Sequence, residues 1–174
     1  MIAVWSLSAV ELAAAYRKRE LSPIEVLDAV LTRCETVNPQ LNAIVTFDIE
    51  GARAAARASA ARFASGEPLG ALDGIPITIK DNIPVKGLRS TWGSRLLADY
   101  VPAHDELPVA RLRRQGAVIF GKTNVPEFTF QGYTHNILFG TTGNPWDPSL
   151  TPGGSSGDAV AAVAAGLGPL AFGT

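Results

Sequence analysis

From Gly140 to Ser155 the chain runs sixteen residues, Gly-Thr-Thr-Gly-Asn-Pro-Trp-Asp-Pro-Ser-Leu-Thr-Pro-Gly-Gly-Ser, with neither helical nor strand periodicity, and then turns abruptly into an alanine-rich helical pattern. Unstructured stretches of that length are uncommon in compact domains, and those that occur are usually functional or disordered. Pro145, Pro148 and Pro152 restrict the backbone, and Trp146 and Leu150 offer apolar anchors, so the stretch reads as a loop built to hold one shape. Such a loop requires a scaffold on both sides. Gly153 and Gly154 free the backbone to place Ser155 and Ser156 at the mouth of a helix beginning near Gly157. Taken alone, the string Gly-Gly-Ser-Ser-Gly reads as an N-cap. The same helix end also suits an anion, or a carbonyl oxygen developing negative charge.

The scaffold can be read in order. Ser8 with Glu11 and Ser22 with Glu25 have capping-box spacing. Each is flanked by an apolar staple, Leu7/Leu12 and Leu21/Val26, and Pro23 occupies a first helical position. The second helix shows Leu27, Val30, Leu31 and Cys34 on one face and is expected to stop around Val37, before Asn38-Pro39. Asn42 to Phe47 is a strand candidate. Ile49 to Ser65 reads as a helix whose Arg53, Arg57 and Arg62 form a solvated face, and 66–70 as a turn-rich linker. Ile75, Ile77 and Ile79 alternate along a strand that delivers Lys80 to its end. The residues alone favour a snorkelling or salt-bridged lysine there, with Asp81 as the nearby counter-charge, over a catalytic one. A helix over 106–115 capped by Asp105, a buried strand at 117–120, a helix over 159–167 and a strand starting at Pro169 complete the pattern.

Composition narrows the function classes. Fifteen basic and sixteen acidic residues leave a net charge of −1, which gives no electrostatic footprint for nucleic acid or an anionic membrane. The single cysteine, Cys34, excludes an internal disulfide and fits a helical core stripe in a reducing compartment. His104 and His135 lack a Cys or second His at ligand spacing, so no metal site is expected. Met1 to Tyr16 lacks a basic start and carries Glu11, against a signal peptide, and no run is long enough to span a bilayer. A cytoplasmic protein is expected. The run from Gly116 to Thr123 matches the Walker A string, but its variable residues form the strand and Pro126 interrupts any helix after it, so nucleotide binding is rejected.

Three separated motifs then assemble in order: Gly74-Ile-Pro-Ile-Thr-Ile-Lys80-Asp-Asn; Gly116-Ala-Val-Ile-Phe-Gly-Lys-Thr-Asn-Val-Pro-Glu-Phe128; and Phe139-Gly140, Asn144-Pro-Trp-Asp147, Pro152-Gly-Gly-Ser-Ser-Gly157. The chain closely resembles the amidase signature family, nearly continuously from Gly70 to Thr174. The resemblance implies an α/β fold with a mixed central sheet flanked by helices, incomplete here. Residues 1–66 would form a helical lead-in and 70–174 a signature core, together the N-terminal part of a single amidase domain. It also implies hydrolysis of a small-molecule amide by a Ser-Ser-Lys triad through an acyl-enzyme, without metal or organic cofactor. Lys80 aligns with the family's lysine and Ser155 with its bridging serine, which follows a cis peptide at Gly154. Ser156 would support the loop, and Thr129 and Gln131 would line the substrate side. In the family the strand begun at Leu170 continues into Asp-Thr-Gly-Gly-Ser, whose serine is the nucleophile, so residues 1–174 alone are expected to be inactive.

Two departures matter. Asp158-Ala159 stands where the family usually has Gly-Ser, and an acidic residue there could pair with Lys80 and hold it protonated. Glu127-Phe-Thr-Phe-Gln131 differs from the Glu-Phe-Ala-Met-Gly of the glutamine-hydrolysing component of glutamyl-tRNA amidotransferases, which favours a stand-alone amidase over that alternative. The non-enzyme alternative is a truncated, inactive relative, and a homodimer is left open.

Overall fold

The computed structural model describes residues 3–174; Met1 and Ile2, the start of the stretch read as lacking a leader signature, lie outside them. Both capping boxes form. In α1 (Ala9–Lys18) Glu11 N donates to Ser8 Oγ at 3.3 Å and Ser8 N to the Glu11 carboxylate at 2.8 Å; in α2 (Pro23–Leu41) Ser22 and Glu25 repeat the exchange at 3.2 and 2.8 Å. Helix α2 does not stop at Val37 but runs to Leu41 with Pro39 inside it. The proline removes one hydrogen bond, and the turn around it is held from outside. Leu41 is buried, and the Asn38 side chain bonds Ala43 N, Ile44 N and Ile44 O at the start of the next strand.

Strands β1 (Ile44–Phe47), β2 (Pro76–Lys80), β3 (Val118–Thr123) and β6 (Leu170–Phe172) make one mixed sheet in the order β1-β3-β2-β6, with β2 parallel to β3 and β6, and β1 antiparallel to β3. A separate ribbon pairs β4 (His135–Asn136) with β5 (Gly140–Thr141). Helices α2, α3 (Ile49–Ser65) and α5 (Gly157–Ala164) bury Leu27, Val30, Ala52, Ala56, Ala161 and Ala162 against Val118 and Phe120. Ile77, Ile79 and Ile119 face the other way, onto Ile83, Val85 and Val109 of α4 (Leu107–Arg114). The result is helix, sheet, helix, with strand alternation assigning each residue its layer. Cys34 lies in the core, the pKa of its thiol pushed up to about 12 by burial and by neighbouring Glu35.

The alternation is broken in β3, with consequence. Ile77 pairs with Ile119 but Thr78 pairs with Gly121, so β3 carries a bulge at Phe120. Beyond it the faces exchange: Lys122 falls opposite Ile79 on the α4 side, and Thr123 falls opposite Lys80 on the α5 side.

Three other expectations are corrected. Asp105 does not cap α4, which begins after Glu106 without a side-chain cap. Pro108 removes one of the free N–H groups a cap would serve, and Asp105 instead accepts from Lys86 N and Arg113 Nε. Trp146 and Leu150 are exposed, 81% and 58%, and do not anchor their loop. Its shape comes from polar turns, Trp146 N to Asn144 Oδ1 and Ser149 N to Asp147 Oδ1, and from Gly143 N to Leu41 O. Arg62 also leaves the solvated face: its guanidinium grips the fully buried Asp73 carboxylate in two bonds of 2.9 and 2.6 Å. Burial would raise the Asp73 pKa, but Arg62, Leu69 N and Ser59 outweigh it and hold the carboxyl below its ordinary value.

Arg62→Ala should therefore cost about 3 kcal/mol in urea unfolding at neutral pH, because it strands a buried carboxylate. A depressed carboxyl stabilises the fold above its unfolded value, and that contribution is lost as pH falls through the folded one. The difference between Arg62→Ala and wild type should accordingly shrink as pH drops below about 4.

Candidate active site

The serine loop reaches the sheet through close backbone packing. Gly153 has φ 94°, and the Gly154–Ser155 peptide is cis, as expected from the sequence. A Cβ on Gly154 would lie 2.7 Å from Tyr133 N and 2.8 Å from Gln131 O, so the 131–133 backbone presses directly on the loop. Thr134 Oγ1 donates to Gly153 O at 3.1 Å and fixes the loop from the same side.

Lys80, at the end of β2, has no solvent exposure. Its Nζ donates to Ser155 Oγ at 2.8 Å, Ser156 Oγ at 2.9 Å and Thr174 Oγ1 at 3.2 Å. Ser156 stands at the N-cap position of α5 but makes no cap hydrogen bond. It faces the end of β6 instead, donating to Thr174 O at 2.7 Å and accepting from Thr174 N at 3.2 Å. The N-cap reading of the serines gives way to a cluster of three hydroxyls around one amine. Burial lowers the lysine's pKa, while the Asp158 charge pushes it back up.

Asp81 is not its counter-charge. Its Oδ2 accepts from Thr91 N and Thr91 Oγ1, at 2.9 and 2.7 Å, because the residue after Lys80 leaves on the opposite side of the strand. The nearby carboxyl is Asp158, in the first turn of α5, fully buried. Burial drives its pKa up to about 7, against the opposing pull of Thr123, the Asp158 and Ala159 N–H groups and the Lys80 charge. Lys122 belongs to another environment, donating to the Asp81, Ile83 and Arg89 carbonyls and to Ser90 Oγ. It pins the 81–90 segment. Burial lowers its pKa to about 8.

The structure thus brings Lys80, Gly154, Ser155 and Ser156 together and sets the Gln131 backbone against Gly154, with the Gln131 side chain in solvent. Thr129, in the turn Glu127–Thr129 with φ 63°, shares no hydrogen bond with the lysine or the serines. Sequence reasoning missed Thr123, Thr134 and Thr174. Only the β3 bulge identifies the first of these.

The amidase family model matches residues 25–174. The chain belongs to the amidase signature family. It is 46% identical to the indoleacetamide hydrolase of Bradyrhizobium diazoefficiens, over 98% of this chain and 32% of that protein. It is 48% identical to the A-type subunit of the glutamyl-tRNA(Gln) amidotransferase of Acidothermus cellulolyticus, over 96% of this chain and 33% of that one. Among solved structures, a bacterial aryl acylamidase of the amidase signature family superposes with a TM-score of 0.90 at 35% identity, covering 95% of this chain and 34% of its own. The chain spans about a third of the length of these amidase relatives.

Within this family frame the loop packing makes a sharp prediction. Gly154→Ala must push against the 131–133 backbone and should lower stability by about 1–3 kcal/mol. Gly132→Ala, whose Cβ meets nothing within 4 Å, should be close to neutral by the same thermal melt.

Proposed function

We propose that the chain is the N-terminal part of an amidase domain that cleaves the C–N bond of a carboxamide, with Lys80 as general base and Ser155 as relay. The observation that carries this reading is the 2.8 Å contact between the Nζ of the fully buried Lys80 and Ser155 Oγ, in a cluster whose other contacts to the amine are the hydroxyls of Ser156 and Thr174 and no carboxylate. A serine hydroxyl becomes a useful nucleophile when a base takes its proton, and a lysine can do so only as the neutral amine that burial favours. Ser155 would pass the nucleophile's proton to Lys80 and later return it to the leaving amine, after which water hydrolyses the acyl-enzyme. The nucleophile itself would lie in the sequence that follows β6 in longer relatives. What supports this is that Thr174 Oγ1 stands 3.2 Å from Lys80 Nζ, so residues continuing from β6 would start beside the amine. Residues 1–174 by themselves should release no ammonia from any amide.

Among the described residues no helix is long and apolar enough to cross a membrane, and a cytoplasmic location is part of the proposal. A second reading, the glutamine-hydrolysing component of a tRNA-dependent amidotransferase, draws on the 48% identity to such a protein. The two separate by assaying ammonia release from glutamine against a panel of aliphatic and aromatic amides.

In the protein carrying the full length of its relatives, Lys80→Ala and Ser155→Ala should each lower kcat roughly 10²–10⁴-fold with little change in melting temperature, and Ser156→Ala should be milder. Substantial turnover by a folded Lys80→Ala protein would overturn the base assignment. Activity should rise with pH as Lys80 loses its proton, at a pH below the ordinary lysine value of about 10.4, read from the kcat/KM profile.

A further inference from the structure

Asp158 is the buried charge that the proposed mechanism leaves unused. It is fully buried in the first turn of α5, and neither carboxylate oxygen has a hydrogen-bond partner among the described residues. A carboxyl in that condition needs either a proton or a nearby cation. The groups facing it are few. From β3 comes the Thr123 hydroxyl, itself without a completed hydrogen bond; from β2 comes Lys80, the one charged side chain acting on it; from its own helix come the Asp158 and Ala159 N–H groups. Lys80 in turn feels one charged group, Asp158, and otherwise touches the hydroxyls of Ser155, Ser156 and Thr174. The ion pairs of the described residues, Lys18–Glu20, Arg53–Asp28, Arg62–Asp73 and Arg113–Asp105, do not include the two, so they act on each other through space without a closed salt bridge.

We propose that Asp158 is a positioning residue for the amide reaction, a buried carboxyl whose charge sets the protonation of Lys80 and thereby places the acid limb of the pH profile. This rests on the reading of Lys80 as the base. With Asp158 ionised, the ammonium of Lys80 is favoured, so the lysine gives up its proton at higher pH than burial alone would dictate. The same charge stabilises the ammonium that forms when Lys80 accepts the nucleophile's proton through Ser155, and releases it when that proton goes on to the leaving amine. No atom is exchanged with Asp158; it contributes charge. Because the two groups interact, they titrate as a pair, and each should register the other's proton.

The test is a carbon-13 titration of the intact chain grown on ε-labelled lysine, which contributes four signals, Lys18, Lys80, Lys86 and Lys122. Lys122→Met identifies the other buried one. In wild type the Lys80 signal should show its own inflection and a second near pH 7, where Asp158 titrates. In Asp158→Asn and Asp158→Ala the second inflection should vanish and the main one move to lower pH. A wild-type Lys80 signal that does not respond near pH 7, or an inflection unchanged in the variants, overturns the proposal, and the wild-type arm decides even if both variants misfold. In the protein carrying the remaining length of its relatives, the acid limb of kcat/KM should move to lower pH in Asp158→Asn. If the lysine signals behave as expected but Lys80→Ala keeps its turnover, the base assignment falls while the Lys80–Asp158 coupling stands; if Lys80→Ala is dead and the signals do not move, only the role of Asp158 falls.

Discussion

An amine with no exposure to water and only hydroxyls in contact is the constraint around which the chain is arranged. Lys80 can donate to Ser155, Ser156 and Thr174, and those three oxygens come from two separate elements, the loop before α5 and the end of β6. Neutral acceptors return less than a carboxylate would, so they offset the cost of burying an ammonium only in part. The direction of the pKa follows from that imbalance: down from burial, with Asp158 resisting. A salt bridge to Asp81 would have stabilised the charge and removed the base. The structure avoids it by turning Asp81 toward Thr91.

Two buried lysines in neighbouring strands could have competed for one site, and the β3 bulge keeps them apart. One extra residue at Phe120 sends Lys122 to the α4 face, where three carbonyls and a hydroxyl occupy its ammonium. The same slip places Thr123 beside Lys80 and facing Asp158. Asp158 itself illustrates a contest of magnitudes. At a helix N-terminus an acidic residue gains about 0.3–1 kcal/mol from the dipole. Burial here raises its pKa from 3.8 to about 7, which corresponds to roughly 4 kcal/mol against the ionised form. Desolvation wins. Since the folded value is raised, that penalty is absent below pH ~4 and accrues as pH rises toward 7. A residue this costly in its charged form, beside the one buried amine of the cluster, is hard to account for by packing alone.

Much of the scaffold was legible because its signals are local. Capping boxes, the Ile75-Ile77-Ile79 alternation and the glycines before Ser155 each specify backbone within a few residues, and the corresponding elements stand where the sequence places them. The misreadings share a different cause. Pro39 sits inside α2 because Asn38 braces a strand; Arg62 turns inward because Asp73, eleven residues on, is buried; and Trp146 stays exposed because backbone turns replace apolar anchoring. Each depends on a partner that periodicity does not reveal. At the site, Lys80 and the two serines were recognisable from motif order, whereas Thr123 required a bulge that leaves no residue signature, and Thr174 required knowing that β6 lies next to β2.

That adjacency also explains why the cluster forms at this end of the sheet. β2, β3 and β6 run parallel, so Lys80, Thr123 and Thr174 emerge together at their carboxyl ends. α5 packs on the sheet and returns the chain to β6, which brings its N-terminal turn, carrying Ser156 and Asp158, over the same strand ends. Parallel strands joined by helices generate such convergence whatever their sequence, and it is where α/β sheets commonly bind ligands. Only the side chains are specific. The topology supplies one point reached by three strand ends and a helix start, and this chain fills it with an amine, four hydroxyls and a carboxyl that finds no partner but a proton or the amine's charge.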